Sequence, residues 1–260
     1  MAEPREVGRA NLERAKDGEE LFKRAAEFVV GAASEALRER GTFSIALSGG
    51  STPRSLYRLL ADDPSLRSRI PWEKTHVFWG DERCVPPDHP DSNFKMAQEA
   101  LLSKVPVHEG LVHRIRGEDP KPSRAAADYE ATLRAALEKK KGVPRLDLVL
   151  LGLGPEAHTA SLFPGTRALK EKSRLAVATW VGKLDAHRVT LTAPALNGAR
   201  LVLFLVSGGE KALALKAVLQ GPFEPEQLPA QLIRPKAGRL VFLADEAAAH
   251  LVGAPSRQGP

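Results

Sequence analysis

Cysteine is almost missing from this chain of 260 residues: Cys84 stands alone. That excludes an internal disulfide and a cysteine-based zinc cluster, and it fits a reducing compartment. Aromatic residues make up only 5% of the chain, so stacking platforms for nucleobases are scarce. The net charge is +6 and the pI about 9.5, yet the basic residues are spread along the chain among 32 acids. Such a surface carries a mild positive field that favours an anionic small substrate over nucleic acid. No apolar run approaches the ~18 residues of a membrane-spanning helix, and Met1 to Arg14 is too polar for a secretory signal. The expectation is a cytoplasmic protein with no membrane or nucleic-acid partner.

Several catalytic signatures are missing as well. There is no G-x-S-x-G elbow, no H-E-x-x-H or comparable metal spacing, and no Gly-Lys-Ser/Thr ending of a P-loop. Gly152 to Ala157 formally fits the G-x-G-x-x-G/A dinucleotide pattern. Pro155 removes an N–H that a pyrophosphate would need, and the next strand-like run, Leu175 to Thr179, carries no acid for a ribose. No metal and no cofactor is expected, and hydrolysis, if this is the chemistry, uses activated water.

What is present is an alternation of strand-like and helix-like patterns, the signature of an α/β fold. Strands are predicted at Phe43–Leu47, Thr75–Trp79, Leu146–Leu151, Leu175–Thr179, Arg188–Leu191, Leu201–Val206 and Leu240–Leu243. Helices are predicted at Gly18–Arg40, Pro53–Leu60, Asn93–Leu102, Ser123–Lys140 and Glu210–Leu219, with a short one after Asp245. The Pro-rich stretches Val85–Pro90 and Gly221–Pro229 read as loops too short to divide the chain. One domain over residues 1–260 is expected, with a frayed tail at 254–260.

Three strand ends carry chemistry. Ser48-Gly49-Gly50-Ser51-Thr52-Pro53 joins a strand to a helix, with Thr52 suited to the N-cap and Pro53 to the first helical position. Such a turn can cradle a phosphate on its N–H groups, although ordinary strand-to-helix turns use the same residues. Ser207-Gly208-Gly209 repeats the pattern later, as the same turn geometry used twice. At Asp81-Glu82-Arg83, three charges follow a buried strand and are not expected in the core. They form either a solvated loop or a site where Arg83 meets a phosphate or carboxylate, with Asp81 and Glu82 orienting it or substrate hydroxyls. The third is Gly154 to Gly165, which presents Glu156 and His158 just past the Leu146–Leu151 strand. Ligands bind at the carboxyl ends of strands in open α/β sheets, so His158 is placed for proton transfer.

Together with His187-Arg188-Val189-Thr190-Leu191-Thr192 and Ser207-Gly208-Gly209-Glu210-Lys211, these stretches resemble the 6-phosphogluconolactonase family, in family order from residue 46 to 211. The run His158-Thr159-Ala160-Ser161-Leu162-Phe163-Pro164 is especially specific. The resemblance implies a Rossmann-like fold, an open, mostly parallel sheet flanked by helices, shared with glucosamine-6-phosphate deaminases. It implies hydrolysis of 6-phosphoglucono-δ-lactone to 6-phosphogluconate, a step of the oxidative pentose phosphate pathway, by a monomer or weak homodimer. Carried over, His158 is the general base and Glu156 its neighbouring carboxylate. Gly49, Gly50, Ser51 and Thr52 hold the phosphate, and Asp81, Arg83, Arg188 and Lys211 complete the substrate site. Glu156-Ala157 replaces the family's usual Asp-Gly, which lengthens the carboxylate arm and strains Ala157 if the turn needs positive φ. The rival readings are a deaminase-isomerase of the same fold, which has Asn-Glu where this chain has Leu162-Phe163, and a non-catalytic sugar-phosphate sensor. An attached helix-turn-helix would support a sensor, and none is expected before the first predicted helix at Gly18.

Overall fold

Short runs with no polar face belong inside a parallel sheet covered on both sides. In a computed structural model describing residues 11–137, 139–140 and 143–253, these runs form such a sheet. The elements in chain order are β1 (Asn11–Ala15), α1 (Gly18–Arg40), β2 (Phe43–Leu47), α2 (Ser51–Asp62), α3 (Pro64–Arg67), β3 (Thr75–Trp79), β4 (Asp81–Arg83), α4 (Asn93–Ala100), α5 (Pro122–Ala136), β5 (Lys139–Lys140), β6 (Val143–Pro144), β7 (Leu148–Gly152), β8 (Ala176–Val181), β9 (Ala186–Leu191), α6 (Ala193–Asn197), β10 (Leu201–Val206), α7 (Ala212–Gln220), β11 (Arg239–Asp245) and α8 (Glu246–Ala249). Short 3-10 turns join several of them. The main sheet has the order β1-β11-β10-β7-β2-β3, and every pairing in it is parallel. The fold is therefore α/β with an open parallel sheet. A second, antiparallel sheet has the order β4-β9-β8, and β5 and β6 form a small hairpin.

The long helix α1 shows why the local reading works. Asp17 accepts from the Glu20 N–H at its start, and Gly41 closes it in the left-handed conformation. Leu21, Ala25, Val29, Ala33 and Ala36 recur at helical spacing and are buried. The predicted bounds of α1, β2, β3 and β10 match the structure, because these elements are long and amphipathic or wholly apolar.

Other expectations are corrected. The predicted helix Ser123–Lys140 ends at Ala136, where Leu137 turns extended and stays buried. Helix α2 begins at Ser51, so Gly50 is its N-cap and Thr52 lies inside the first turn. The reason is backbone geometry: Gly50 has φ 104°, which lets the chain enter the helix earlier than a side-chain cap at Thr52 would. Strand β1 was not expected, because its alternating polar residues carry little strand signal until β11 offers an edge. The frayed tail expected at 254–260 lies outside the described residues.

The amino ends of the central strands are tied by one buried carboxylate. Asp147 accepts from the Ser44 N–H and Oγ, each at 2.8 Å. Its other oxygen meets Arg40 Nε at 3.0 Å and Arg200 Nε at 3.2 Å. This joins the end of α1, β2 and the start of β10 around the residue preceding β7. Asp147→Ala leaves these donors facing each other without their acceptor. It is expected to lower the unfolding free energy by about 3 kcal/mol, read from a shift in the urea midpoint at unchanged slope.

Candidate active site

Because β2, β7 and β10 are neighbours and parallel, their carboxyl ends open on one side. A cavity of about 690 Å3 lies there, and it contains His158, Glu156, Asp81, Arg83, Arg188, Lys211 and the Gly49–Thr52 turn. All ten residues singled out in the sequence are thus brought together. A hollow of about 770 Å3 lies elsewhere, among α1, α2, α3 and the amino ends of the strands. Most of its cations are already taken by acids: Arg24 by Glu13, Arg69 by Glu27, and Arg40 and Arg200 by Asp147. It presents no base or nucleophile comparable to His158.

The loop after β7 holds His158 on several sides. The Gly154 N–H donates to the His158 carbonyl at 2.9 Å, and the Ala157 N–H to the Gly154 carbonyl at 2.9 Å. Thr159 Oγ1 donates back to the Gly152 carbonyl at 2.9 Å. The imidazole stacks on Phe163, with ring centroids 3.9 Å apart. Its other face lies against Gly154, where a Cβ would stand 2.0 Å from the ring. Only glycine fits there. Nδ1 is buried and lies 3.3 Å from Glu156 Oε2, an ion-pair contact without the alignment of a hydrogen bond. Nε2 is therefore the nitrogen left for a molecule in the cavity. Burial is the main influence on the imidazole and pushes its pKa below the ordinary value; Glu156 and Asp81 oppose this, and Lys211 adds to it. The shift favours the neutral imidazole, the form able to accept a proton.

The two Ser-Gly-Gly turns share a backbone shape, with Gly50 at φ 104° and Gly208 at φ 100°. They differ in their tertiary partners. In the second, Asp245 accepts from Ser207 Oγ at 2.5 Å and from the Gly208 N–H at 3.1 Å, which ties this turn to the end of β11. In the first, the Ser51 and Thr52 N–H groups lie in the opening turn of α2, where no intrahelical acceptor exists. No side chain caps that helix. The opening N–H groups of both turns are without a side-chain cap, and both turns line the cavity.

The antiparallel sheet forms the opposite wall. Arg83 and Arg188 face each other across β4 and β9, a like-charge pairing that is unfavourable by itself. Arg83 donates to the Asp91 carbonyl, and Arg188 Nε is buried without a partner. Burial and then Arg83 push the Arg188 pKa down, though a guanidinium stays charged at neutral pH. Neither arginine has a carboxylate at ion-pair distance among the described residues. An anion between them relieves both penalties.

The segment Asp81-Glu82-Arg83 corrects the expectation that its charges lie outside the core. Asp81 and Glu82 are buried. Glu82 accepts from the N–H groups of Arg83, Asn93 and Phe94, each at 2.8 Å, and so ties β4 to the start of α4. Burial nevertheless raises its pKa against the pull of those donors. It orients Arg83 through the backbone and makes no contact with the cavity. Asp81 does face the cavity and is held by Ser161 Oγ at 2.6 Å, while Asn93 Nδ2 donates to its carbonyl at 2.9 Å. Asn93, Ser161, Phe163 and Lys183 were missing from the predicted site. Ser161 and Phe163 stand in the quoted His158–Pro164 run, where motif membership was the available signal, and Asn93 was legible as the start of a predicted helix. Lys183 has no local signal.

Chains of known family share this arrangement. The family model "Glucosamine-6-phosphate isomerases/6-phosphogluconolactonase" matches residues 16–242. A 6-phosphogluconolactonase from a Synechocystis species is 44% identical over 230 residues, covering 88% of this chain and 92% of that one. The structure of 6-phosphogluconolactonase from Trypanosoma brucei superposes with a TM-score of 0.83 at 31% identity, covering 94% of this chain and 99% of that one. A monomeric glucosamine-6-phosphate deaminase, 20% identical with a TM-score of 0.78 over 93% of this chain and 99% of that one, shares the fold alone.

The loop stores strain at Ala157, which sits at φ 58°, a conformation that favours glycine. Ala157→Gly is expected to leave the melting temperature unchanged or to raise it, whereas the same change within a helix costs about 1 kcal/mol. A calorimetric scan of both proteins reads the sign.

Proposed function

This chain belongs to the glucosamine-6-phosphate isomerase/6-phosphogluconolactonase family, and from that footing we propose that it hydrolyses 6-phosphoglucono-δ-lactone to 6-phosphogluconate. The observation that carries the reading is a half-buried histidine, its Nδ1 enclosed, facing a cavity that also holds an uncapped helix N-terminus and two arginines without acids. A lactone is an activated ester, so one positioned base suffices. In this reading His158 Nε2 takes a proton from water as its oxygen attacks C1. The tetrahedral intermediate collapses with cleavage of the bond from C1 to the ring oxygen, and the imidazolium returns the proton to that oxygen. Gly49, Gly50, Ser51 and Thr52 receive the phosphate, and Arg83, Arg188 and Lys211 supply positive charge around the phosphate and the developing oxyanion. Anchoring the phosphate fixes C1 relative to His158.

Deaminase-isomerase chemistry needs carboxylates for proton transfer at carbon. Where the deaminase motif has Asn-Glu, this chain has a fully buried Leu162 and the Phe163 that stacks on His158. Among the described residues, no helix is long and apolar enough to cross a membrane. We propose that the enzyme works in the cytoplasm as a monomer or weak homodimer.

The test is 6-phosphogluconolactone hydrolysis coupled to 6-phosphogluconate dehydrogenase, against the spontaneous rate and with gluconolactone in parallel. His158→Ala is expected to lower kcat by roughly 10²–10⁴-fold with the fold intact; activity within a few-fold of wild type removes His158 as the base. Because the base must be neutral and burial favours that form, kcat/KM is expected to fall on acidification with its midpoint below the ordinary imidazole value of about 6.5. Arg188→Ala removes a charge-assisted contact worth about 1.5–3 kcal/mol. It is expected to lower kcat/KM for the phosphorylated lactone by roughly 10–10²-fold.

A further inference from the structure

Glu156 is held at both ends of its carboxylate. Oε2 lies against His158 Nδ1, and Oε1 accepts from Lys183 Nζ at 2.8 Å. Lys183 belongs to a different part of the molecule: it sits in the turn Gly182–Leu184 between β8 and β9, at the wall of the cavity. Among the described residues it is the one side chain besides His158 that grips Glu156. A glutamate carboxylate ends a chain of three torsions and loses its orientation unless a second contact fixes it. The 3.3 Å contact with the imidazole fixes only one of its oxygens. We propose that Lys183 is a positioning residue for the reaction, holding Glu156 so that its carboxylate orients the imidazole and keeps the proton on Nδ1. The inference rests on His158 being the base.

The physical argument separates this role from a structural one. The Lys183 side chain is 68% exposed, and an exposed pair contributes little to stability. What the pair does affect is the group behind it, since the partner of one imidazole nitrogen sets the tautomer and therefore the basicity of the other. The longer reach of Glu156 makes this anchor necessary, whereas a shorter carboxylate arm has fewer torsions to fix.

The test compares wild type, Lys183→Met, Lys183→Arg and His158→Ala in the lactone hydrolysis assay over a pH series. For Lys183→Met, kcat is expected to fall roughly ten-fold while KM stays within about two-fold. The acid limb of kcat/KM is expected to move to lower pH, because the carboxylate that favours the imidazolium is no longer held beside it. Lys183→Arg is expected to restore most of kcat, with the melting temperature the same in all Lys183 variants. An unchanged kcat and pH profile in Lys183→Met overturns the proposal and leaves an ordinary surface pair. A raised KM with kcat intact also overturns it and makes Lys183 a substrate contact. Both results leave the His158 assignment standing if His158→Ala is inactive, whereas an active His158→Ala removes that assignment and this inference together.

Discussion

Parallel strands share a carboxyl end, and the site depends on that constraint. Antiparallel neighbours would send the segments after β2, β7 and β10 to opposite edges of the sheet. Parallel pairing brings the Ser48-Gly49-Gly50 turn, the His158 loop and the Ser207-Gly208-Gly209 turn to one edge, in the lateral order of the strands. Register matters as much as direction. The Asp147 carboxylate clamps the amino ends through Ser44, Arg40 and Arg200, and the strands then end level at the cavity. Stability and function occupy opposite ends of the same sheet.

The small antiparallel sheet adds what a bare parallel sheet lacks, a wall of charge. Its arginines are set against each other without acids, an arrangement that opposes folding and favours an anionic ligand. Glu82 makes the wall rigid by accepting three backbone N–H groups from β4 and the start of α4. The catalytic loop follows a similar logic, since Ala157 and Ala160 both adopt positive φ. Strain of about 1–3 kcal/mol per residue persists only where surrounding contacts hold it. Here the stack on Phe163 and the closed hydrogen bonds of the loop do so, and His158 is fixed before any substrate arrives.

The chemistry asked of this scaffold is modest. An activated ester needs a base, a place for the oxyanion and an anchor that keeps the reacting carbon near the base. The anchor is electrostatic, so it acts at a distance from the bond being broken and leaves room for water. In the proposed reading that division matches the two groups of side chains, cations and open N–H groups on one hand and His158 with its carboxylate neighbour on the other.

The amino-acid sequence by itself determined the elements with one dominant periodicity, such as α1, β2, β3 and β10, and placed Gly49–Thr52, Asp81, Arg83, Glu156 and His158 after strands, while Arg188 and Lys211 entered through the family resemblance. It did so because burial patterns and turn residues are local properties. Other features required tertiary structure. Two turns with the same Ser-Gly-Gly sequence differ because Asp245, brought by β11, binds the second through Ser207 Oγ and the Gly208 N–H, while Asn93 packs against Gly49 in the first. The three charges of Asp81-Glu82-Arg83 looked like solvated loop because most donors that satisfy Glu82, on Ser92, Asn93 and Phe94, lie ten to twelve residues further along. The opposition of Arg83 and Arg188, and the reach of Lys183 to Glu156, arise from strand pairing and hairpin placement. In each case the deciding partner is distant in sequence. The energy of a buried charge or an open N–H depends on what the fold places within hydrogen-bonding distance of it.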